Sequence, residues 1–171
     1  MKEITSLSNP LIKELVLLKN KKERINKQQF IVEGYHLVEE AYKNKCLKQI
    51  FITSDDVKYP DIDTIKTTDI IIKKLSSTME PQGIVGIVEM PKFEKKKYSK
   101  YLVLDDVADP GNLGTIIRSS LALGIEALIV SPDTVDEYND KVLRATQGAI
   151  FKLPIFRENL EKAIKSSVLL L

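Results

Sequence analysis

Apolar and polar positions along the chain change period several times, and each change predicts an element. Leu11, Ile12, Leu15, Val16 and Leu18 recur at helical spacing behind Ser8-Asn9-Pro10, so the pattern predicts a helix with proline in its first turn. Phe30-Ile31-Val32 is a short strand signal closed by Glu33-Gly34. Tyr35 to Lys43 returns to helical spacing, with Leu37, Val38 and Ala41 inward. Leu47 to Thr53 and Thr64 to Thr67 predict two more strands, Asp69 is placed to cap a helix through Leu75, and a turn at Gln82-Gly83 precedes the strand Ile84 to Val88. Beyond Lys100 the order is strand, helix, strand, helix, strand, helix, strand. The strands are Tyr101 to Leu104, Ala127 to Ser131, Phe151 to Phe156 and Val168 to Leu171. The helices begin near Leu113, at Tyr138-Asn139-Asp140 and at Glu158. Such alternation predicts a parallel, right-handed α/β sheet.

Between these two patterns lies Met90 to Lys100, MPKFEKKKYSK, where a proline and a lysine run interrupt the apolar periodicity. This shift marks an exposed linker. The domains expected are therefore 1–92 and 100–171, joined by residues 93–99.

The stretch Tyr101 to Gly124 organises the second half. Asp105 and Asp106 end the first strand, Asp109-Pro110-Gly111-Asn112 is a run of turn formers, and Asn112 is placed to cap the helix. At 100° per residue, Leu113, Ile116, Ile117, Leu121 and Leu123 share one arc, whereas Thr115, Arg118, Ser119 and Ala122 share the opposite one. Arg118 is then the one charge on a face of small residues. A guanidinium there is either simply solvated or available to grip a phosphate with its planar fork.

Composition narrows the class. A chain of 171 residues with 26 basic and 24 acidic side chains carries a net charge of only +2, so any footprint for a polyanion must be local. One cysteine and one histidine build neither a disulfide framework nor a metal site. Cys46 reads as a small packing residue in a reducing cytoplasm, and His36 as a capping or surface residue. No run is long enough to span a bilayer, and MKEITSLSNP lacks the apolar core of a signal peptide. The basic cluster Lys19, Lys21, Lys22, Arg24 and Lys27 is either a solvated helix end or a set of phosphate contacts.

Asn112-x-Gly114-x-x-x-Arg118, preceded by Leu104-Asp105-Asp106 and Asp109-Pro110-Gly111, resembles the first motif of the SpoU/TrmH family of RNA ribose 2′-O-methyltransferases, which belong to the knotted SPOUT class. Lys141 to Ala149 followed by Leu153-Pro154-Ile155 is similar to the family's next landmark. Phe30 to Gly34, with Val38-Glu39-Glu40-Ala41 and the Gln82-Gly83-Ile84 strand, resembles the RNA substrate-binding domain that precedes the catalytic one. The resemblance implies a small N-terminal α/β RNA-binding domain followed by a parallel-sheet α/β domain. It implies S-adenosylmethionine as methyl donor, RNA as partner with ribosomal RNA preferred, and a homodimer in the full-length form. It places Arg118 and Asn112 at the reaction centre, Arg118 orienting the target phosphate and assisting the 2′-hydroxyl. Arg144, together with Lys21, Lys22, Arg24 and Lys27, is expected to contact RNA, and Gln82 and Gly83 are further candidates.

The resemblance is incomplete. The family's Asn-Glu-x-x-Gly loop and its Ile-Pro-Met strand leading to Ser-Leu-Asn, which hold the donor and form the knot, have no counterpart in these residues. The expectation is a truncated chain, its methyltransferase domain incomplete, its knot region absent and its donor-binding residues unidentified. Two readings stand: an RNA 2′-O-methyltransferase represented by its substrate domain and part of its catalytic domain, or a noncatalytic RNA-binding protein of the same fold. A mononucleotide-binding protein using Gly111 to Gly114 is a poorer third, for want of a full GxGxxG or a GK[ST].

Overall fold

Asn9 accepts a hydrogen bond from the Leu11 N–H at 2.9 Å and caps a helix whose first residue is Pro10, as a capping residue before proline should. The computed structural model describes residues 2–55, 59–161 and 163. The chain divides into two units, Met1–Pro91 and Lys92–Leu171.

The first unit holds β1 (Lys2–Ile4), α1 (Pro10–Val16), a 3-10 turn at Leu17–Lys19, α2 (Lys21–Lys27), β2 (Gln29–Glu33), α3 (Tyr35–Lys43), β3 (Leu47–Ile52), β4 (Asp63–Thr67), α4 (Asp69–Leu75) and β5 (Ile84–Glu89). Its five strands form one mixed sheet in the order β1-β4-β3-β5-β2. β5 runs antiparallel to both β2 and β3, while β4 lies parallel to β3 and β1. Alternation along the strands buries both faces. Phe51, Ile65, Val85 and Ile87 meet Ile12, Leu15 and Leu18 of the N-terminal helical segment and Ile71, Ile72 and Leu75 of α4. The opposite face, through Val32 and Gly86, lies under α3. A Cβ on Gly86 would stand 3.0 Å from the Val32 methyl and 3.2 Å from that of Val38, so glycine lets α3 lie down on the sheet. Phe51 is wholly buried, and its truncation to alanine would cost about 3–5 kcal/mol.

Three details here differ from expectation. β1 pairs with β4 although only Ile4 of its three residues is buried. The basic run forms a helix of its own, α2, with Asn20 accepting from the Lys22 N–H at 2.8 Å as its cap. Thr68, not Asp69, caps α4, its hydroxyl accepting from the Ile71 N–H.

In the second unit β6 (Tyr101–Leu104), α5 (Pro110–Ala122), β7 (Ala127–Val130), α6 (Asp140–Thr146), a 3-10 turn at Ala149–Phe151 and β8 (Ile155–Arg157) follow one another. The three strands are parallel, in sequential order β6-β7-β8. Right-handed crossovers between sequential strands put α5 and α6 on one face, and the two helices pack together there. Leu104, Leu128 and Val130 fill the space beneath them with Leu113, Ile117 and Val142. Phe151 belongs to the 3-10 turn, leaving a strand of three residues where the apolar run Phe151 to Phe156 had suggested six. Leu160, Glu161 and Ala163 are helical. The expected strand Val168 to Leu171 and the end of the preceding helix lie outside the described residues. No helix among the described residues is long and apolar enough to cross a membrane.

Candidate active site and nucleic-acid interface

In a parallel α/β sheet, the loops leaving the carboxyl ends of the strands form the usual place for chemistry. Here those loops are stitched to one another. Beyond β6 the chain turns through Asp106, whose φ of 46° is left-handed. The Asp106 N–H donates to the Ser131 hydroxyl at 2.9 Å, and the Val107 N–H donates to the Thr134 hydroxyl at 3.3 Å. Ser131 and Thr134 are buried and lie 3.0 Å apart, oxygen to oxygen. Arg157, at the end of β8, then clamps the whole loop. Its guanidinium donates to the carbonyls of Ser131, Pro132, Thr134 and Val135 at 2.6–3.1 Å and to the Glu137 carboxylate at 2.5 Å.

The clamped loop fixes where α5 begins. Asp109, not Asn112, caps that helix: its carboxylate accepts from the Asn112 N–H at 2.7 Å, and Pro110 and Gly111 are the first helical residues. Asn112 is thereby placed inside the first turn. Its side chain is exposed and has no hydrogen-bond partner among the described residues. The buried stripe of α5 is Leu113, Gly114, Ile117 and Ser120, whereas Leu123 is 79% exposed rather than part of the core. The reason is Gly114. A Cβ there would stand 2.4 Å from the Ala145 Cβ and 2.7 Å from the Val142 carbonyl, so α5 turns its glycine toward α6 and rotates Leu123 outward. Asn112, Thr115 and Arg118 follow one another at three-residue spacing on the exposed side. Thr115 is quiet there, its hydroxyl donating to the Gly111 carbonyl at 2.9 Å. Arg144, on α6, pairs with Asp140 one turn earlier at 3.1 Å.

The basic candidates of the first unit separate into three kinds. Lys21 and Lys22 are exposed and line an open cleft of about 420 Å³ with Asn20, Ile25 and Asn26. Lys27 forms an ion pair with Glu14 of α1. Arg24 is corrected: it is only 8% exposed, and its guanidinium donates to the Leu18 and Lys19 carbonyls at 2.9 and 2.8 Å. Those carbonyls end the 3-10 turn, so Arg24 ties α2 to it and is not offered to a phosphate. Gln82 is similarly occupied, its amide oxygen accepting from the Tyr35 N–H at 3.1 Å where α3 starts at Gly34. Cys46 donates to the Asn44 carbonyl, and burial, with Glu89 next, pushes its thiol up.

Residues 9–86 match the MRM3-like substrate binding domain, and residues 99–168 match the SpoU rRNA Methylase family. The crystal structure of an rRNA methyltransferase from Sinorhizobium meliloti is 32% identical, with a TM-score of 0.80 over 96% of this chain and 68% of that one. The chain belongs to the SpoU rRNA methylase family. The AdoMet-bound form of the Sinorhizobium enzyme gives a TM-score of 0.81. The 23S rRNA (guanosine(2553)-2'-O)-methyltransferase RlmP of Bacillus subtilis is 36% identical over 165 residues, which are 94% of this chain and 66% of RlmP. Human mitochondrial rRNA methyltransferase 3 is 33% identical over 164 residues, 86% of this chain and 39% of that protein. The chain thus spans less than two thirds of the length of these curated relatives.

Membership raises the question of where a SpoU methylase would hold S-adenosylmethionine. The clamped loop does not suit it. Four carbonyls between Ser131 and Val135 accept from Arg157, the Ser131 N–H donates to the Leu104 carbonyl, and the Val135 N–H donates to the Val107 carbonyl. These groups satisfy one another within the loop. Arg157 and its partners had no signal in the sequence beyond the turn-forming Ser131-Pro132-Asp133-Thr134, because the clamp joins positions twenty or more residues apart.

Proposed function

We propose that the protein to which this chain belongs methylates the 2′-hydroxyl of a ribose in ribosomal RNA, with S-adenosylmethionine as donor, in the cytoplasm and as a homodimer. Residues 1–92 act as the substrate-binding domain, 93–99 as the linker, and 100–171 as the first part of the methyltransferase domain. The observation that carries this reading is the exposed Asn112, Thr115 and Arg118 row on α5, inside the segment matched to the SpoU methylase family. Named relatives that act on ribosomal RNA support the substrate class.

The residues present serve the acceptor side of the reaction. Arg118 pairs with a phosphate flanking the target nucleotide through its fork and holds the ribose so that the 2′-hydroxyl faces the incoming methyl group. A guanidinium keeps its charge at neutral pH, so Arg118 acts as an electrostatic organiser rather than as a free base. Asn112 accepts from or donates to the same nucleotide. Lys21, Lys22 and Arg144 supply further phosphate contacts, Arg144 by exchanging Asp140 for the backbone.

In a form extended by the family's remaining segments, Arg118→Ala is expected to abolish tritium transfer from labelled donor to unmodified ribosomal RNA while leaving circular dichroism and donor affinity unchanged. Arg118→Lys is expected to recover little, because an ammonium keeps the charge and loses the fork. Near-normal turnover by Arg118→Ala would remove Arg118 from the reaction centre and leave Arg144 as the candidate.

A further inference from the structure

Lys92 to Tyr98 opens the second unit without a strand or helix of its own, yet it is tied to the sheet, by contacts that run from the amino end of β7 to the carboxyl end of β8. The Ser99 N–H donates to the Glu126 carboxylate at 2.7 Å, and Lys95 pairs with Glu158 at 2.9 Å. The Tyr98 ring packs edge-on against Tyr101, 5.6 Å between centroids, and tilted against Phe156 at 6.0 Å. A groove of about 560 Å³ runs along this segment. Its apolar lining is Phe93, Tyr98 and Pro154, and Lys92, Lys96 and Lys97 supply ammonium groups. Lys96 sits over the Tyr98 ring, 5.5 Å from its centroid. Of the two carboxylates at the groove, Glu126 already accepts from Ser99, which leaves Glu94 against the lysines.

We infer that this groove binds single-stranded RNA, with phosphates on Lys92, Lys96 and Lys97 and a base against Phe93 and Tyr98. The inference rests on the RNA-directed reading above and adds a second contact surface to it. Cations interleaved with aromatic rings suit a strand that carries a phosphate and a π-face in every repeat. An acidic peptide would satisfy the lysines but make no use of the rings. The volume falls within the range of about 300–1,000 Å³ typical of ligand clefts, enough to seat a base with its phosphate while the rest of the strand tracks the lysines.

The test is fluorescence anisotropy of a labelled oligouridine of about ten nucleotides, a length within single-strand site sizes, with the 171-residue chain across a salt series. Three variants are compared: Lys92→Glu/Lys96→Glu/Lys97→Glu, Phe93→Leu, and Lys21→Glu/Lys22→Glu in the first unit. The groove triple is expected to weaken binding at least about tenfold and to flatten the salt slope by about 0.7 for each phosphate that is no longer neutralised. Phe93→Leu is expected to weaken binding about fivefold or more at unchanged slope, since stacking releases no counterions. Circular dichroism confirms that each variant is folded; Tyr98 is left intact because it packs on Tyr101 and Phe156. If the groove triple binds as the unaltered chain does while Lys21→Glu/Lys22→Glu weakens, the groove is overturned and the RNA reading stands. If the unaltered chain binds no RNA, the underlying reading fails. Displacement by oligoglutamate as readily as by RNA, with Phe93→Leu silent, would make the groove a site for acidic chains and overturn the proposal.

Discussion

At the scale of the residue, the side chains that matter most are the ones whose surroundings leave them a single role. Gly114 is one. The space for its missing Cβ is filled by Ala145 at 2.4 Å and the Val142 carbonyl at 2.7 Å, and the second neighbour is backbone, which gives way only if α6 moves. Gly114→Ala is therefore expected to lower the denaturation midpoint by the equivalent of about 1–3 kcal/mol, despite alanine's better helix propensity. A midpoint equal to or above that of the unaltered protein would mean that α5 and α6 do not touch at this point. Tyr59 is another. Its ring meets Tyr42 edge-on at 5.0 Å, and burial first, then Glu39, pushes its hydroxyl from 10.0 up to about 12. A pKa raised on folding means the folded state holds the proton more tightly. The stabilisation is full below pH 10.0 and is lost as pH climbs toward about 12. Urea midpoints measured across that window should fall more steeply for the unaltered chain than for Tyr59→Phe, which has no proton to lose; parallel curves would contradict the shift.

At the scale of the element, α5 shows how two plausible caps are told apart. Asp109 and Asn112 are both good capping residues, three positions apart, with Pro110 between them. Proline favours the first helical position, so the helix starts there and Asp109 becomes the cap. Removing it is expected to cost about 1 kcal/mol, whereas Asn112→Ala should leave thermal stability unchanged and, in the extended form, reduce methyl transfer. The opposite pattern, a stability loss at Asn112, would return it to a purely structural role. Elements with a full apolar period were legible in the same way: α1, α3 and β5 lie where the spacing put them. β1 and α2 were not, for physical reasons. β1 has one buried residue and exists through its pairing with β4. The residue that α2 buries is Arg24, so its inward side is a charge satisfied by two carbonyls, while Ile25 is left exposed. An apolar run such as Phe151 to Phe156 says only that the segment is buried, not whether it is strand or turn. The exposed row on α5 was readable from spacing and resemblance together. Arg157, which anchors the loop before it, was not readable, because four of its five partners are carbonyls, which carry no sequence identity, and the fifth, Glu137, is a carboxylate like many others in the chain.

At the scale of the whole molecule, a net charge of +2 means that any contact with RNA must be local, and the residues proposed for it fall in both units: Lys21 and Lys22 in one, Arg118, Arg144 and the Lys92 to Lys97 run in the other. The proposed acceptor-side residues are therefore spread over both. The donor side is different. S-adenosylmethionine must find an enclosed set of hydrogen-bonding groups, and in the loop at the carboxyl ends of β6 and β7 the carbonyls of Ser131, Pro132, Thr134 and Val135 are bonded to Arg157 and the amides of Ser131, Thr134 and Val135 to Leu104, Ser131 and Val107. Binding there would require the donor to displace a charge-assisted clamp of five hydrogen bonds, each contributing about 1.5–3 kcal/mol as a bond to a charged group, while opening the β7 to α6 loop. Titration calorimetry of the 171-residue chain with S-adenosylmethionine is accordingly expected to show no binding, while the same chain retains salt-sensitive affinity for RNA. Micromolar donor binding would overturn this. The variant Arg157→Lys would then locate the pocket: it keeps the charge but cannot span four carbonyls, so a change in donor affinity would place the donor on the clamped loop, and an unchanged affinity would place it at the Gly111 to Gly114 start of α5.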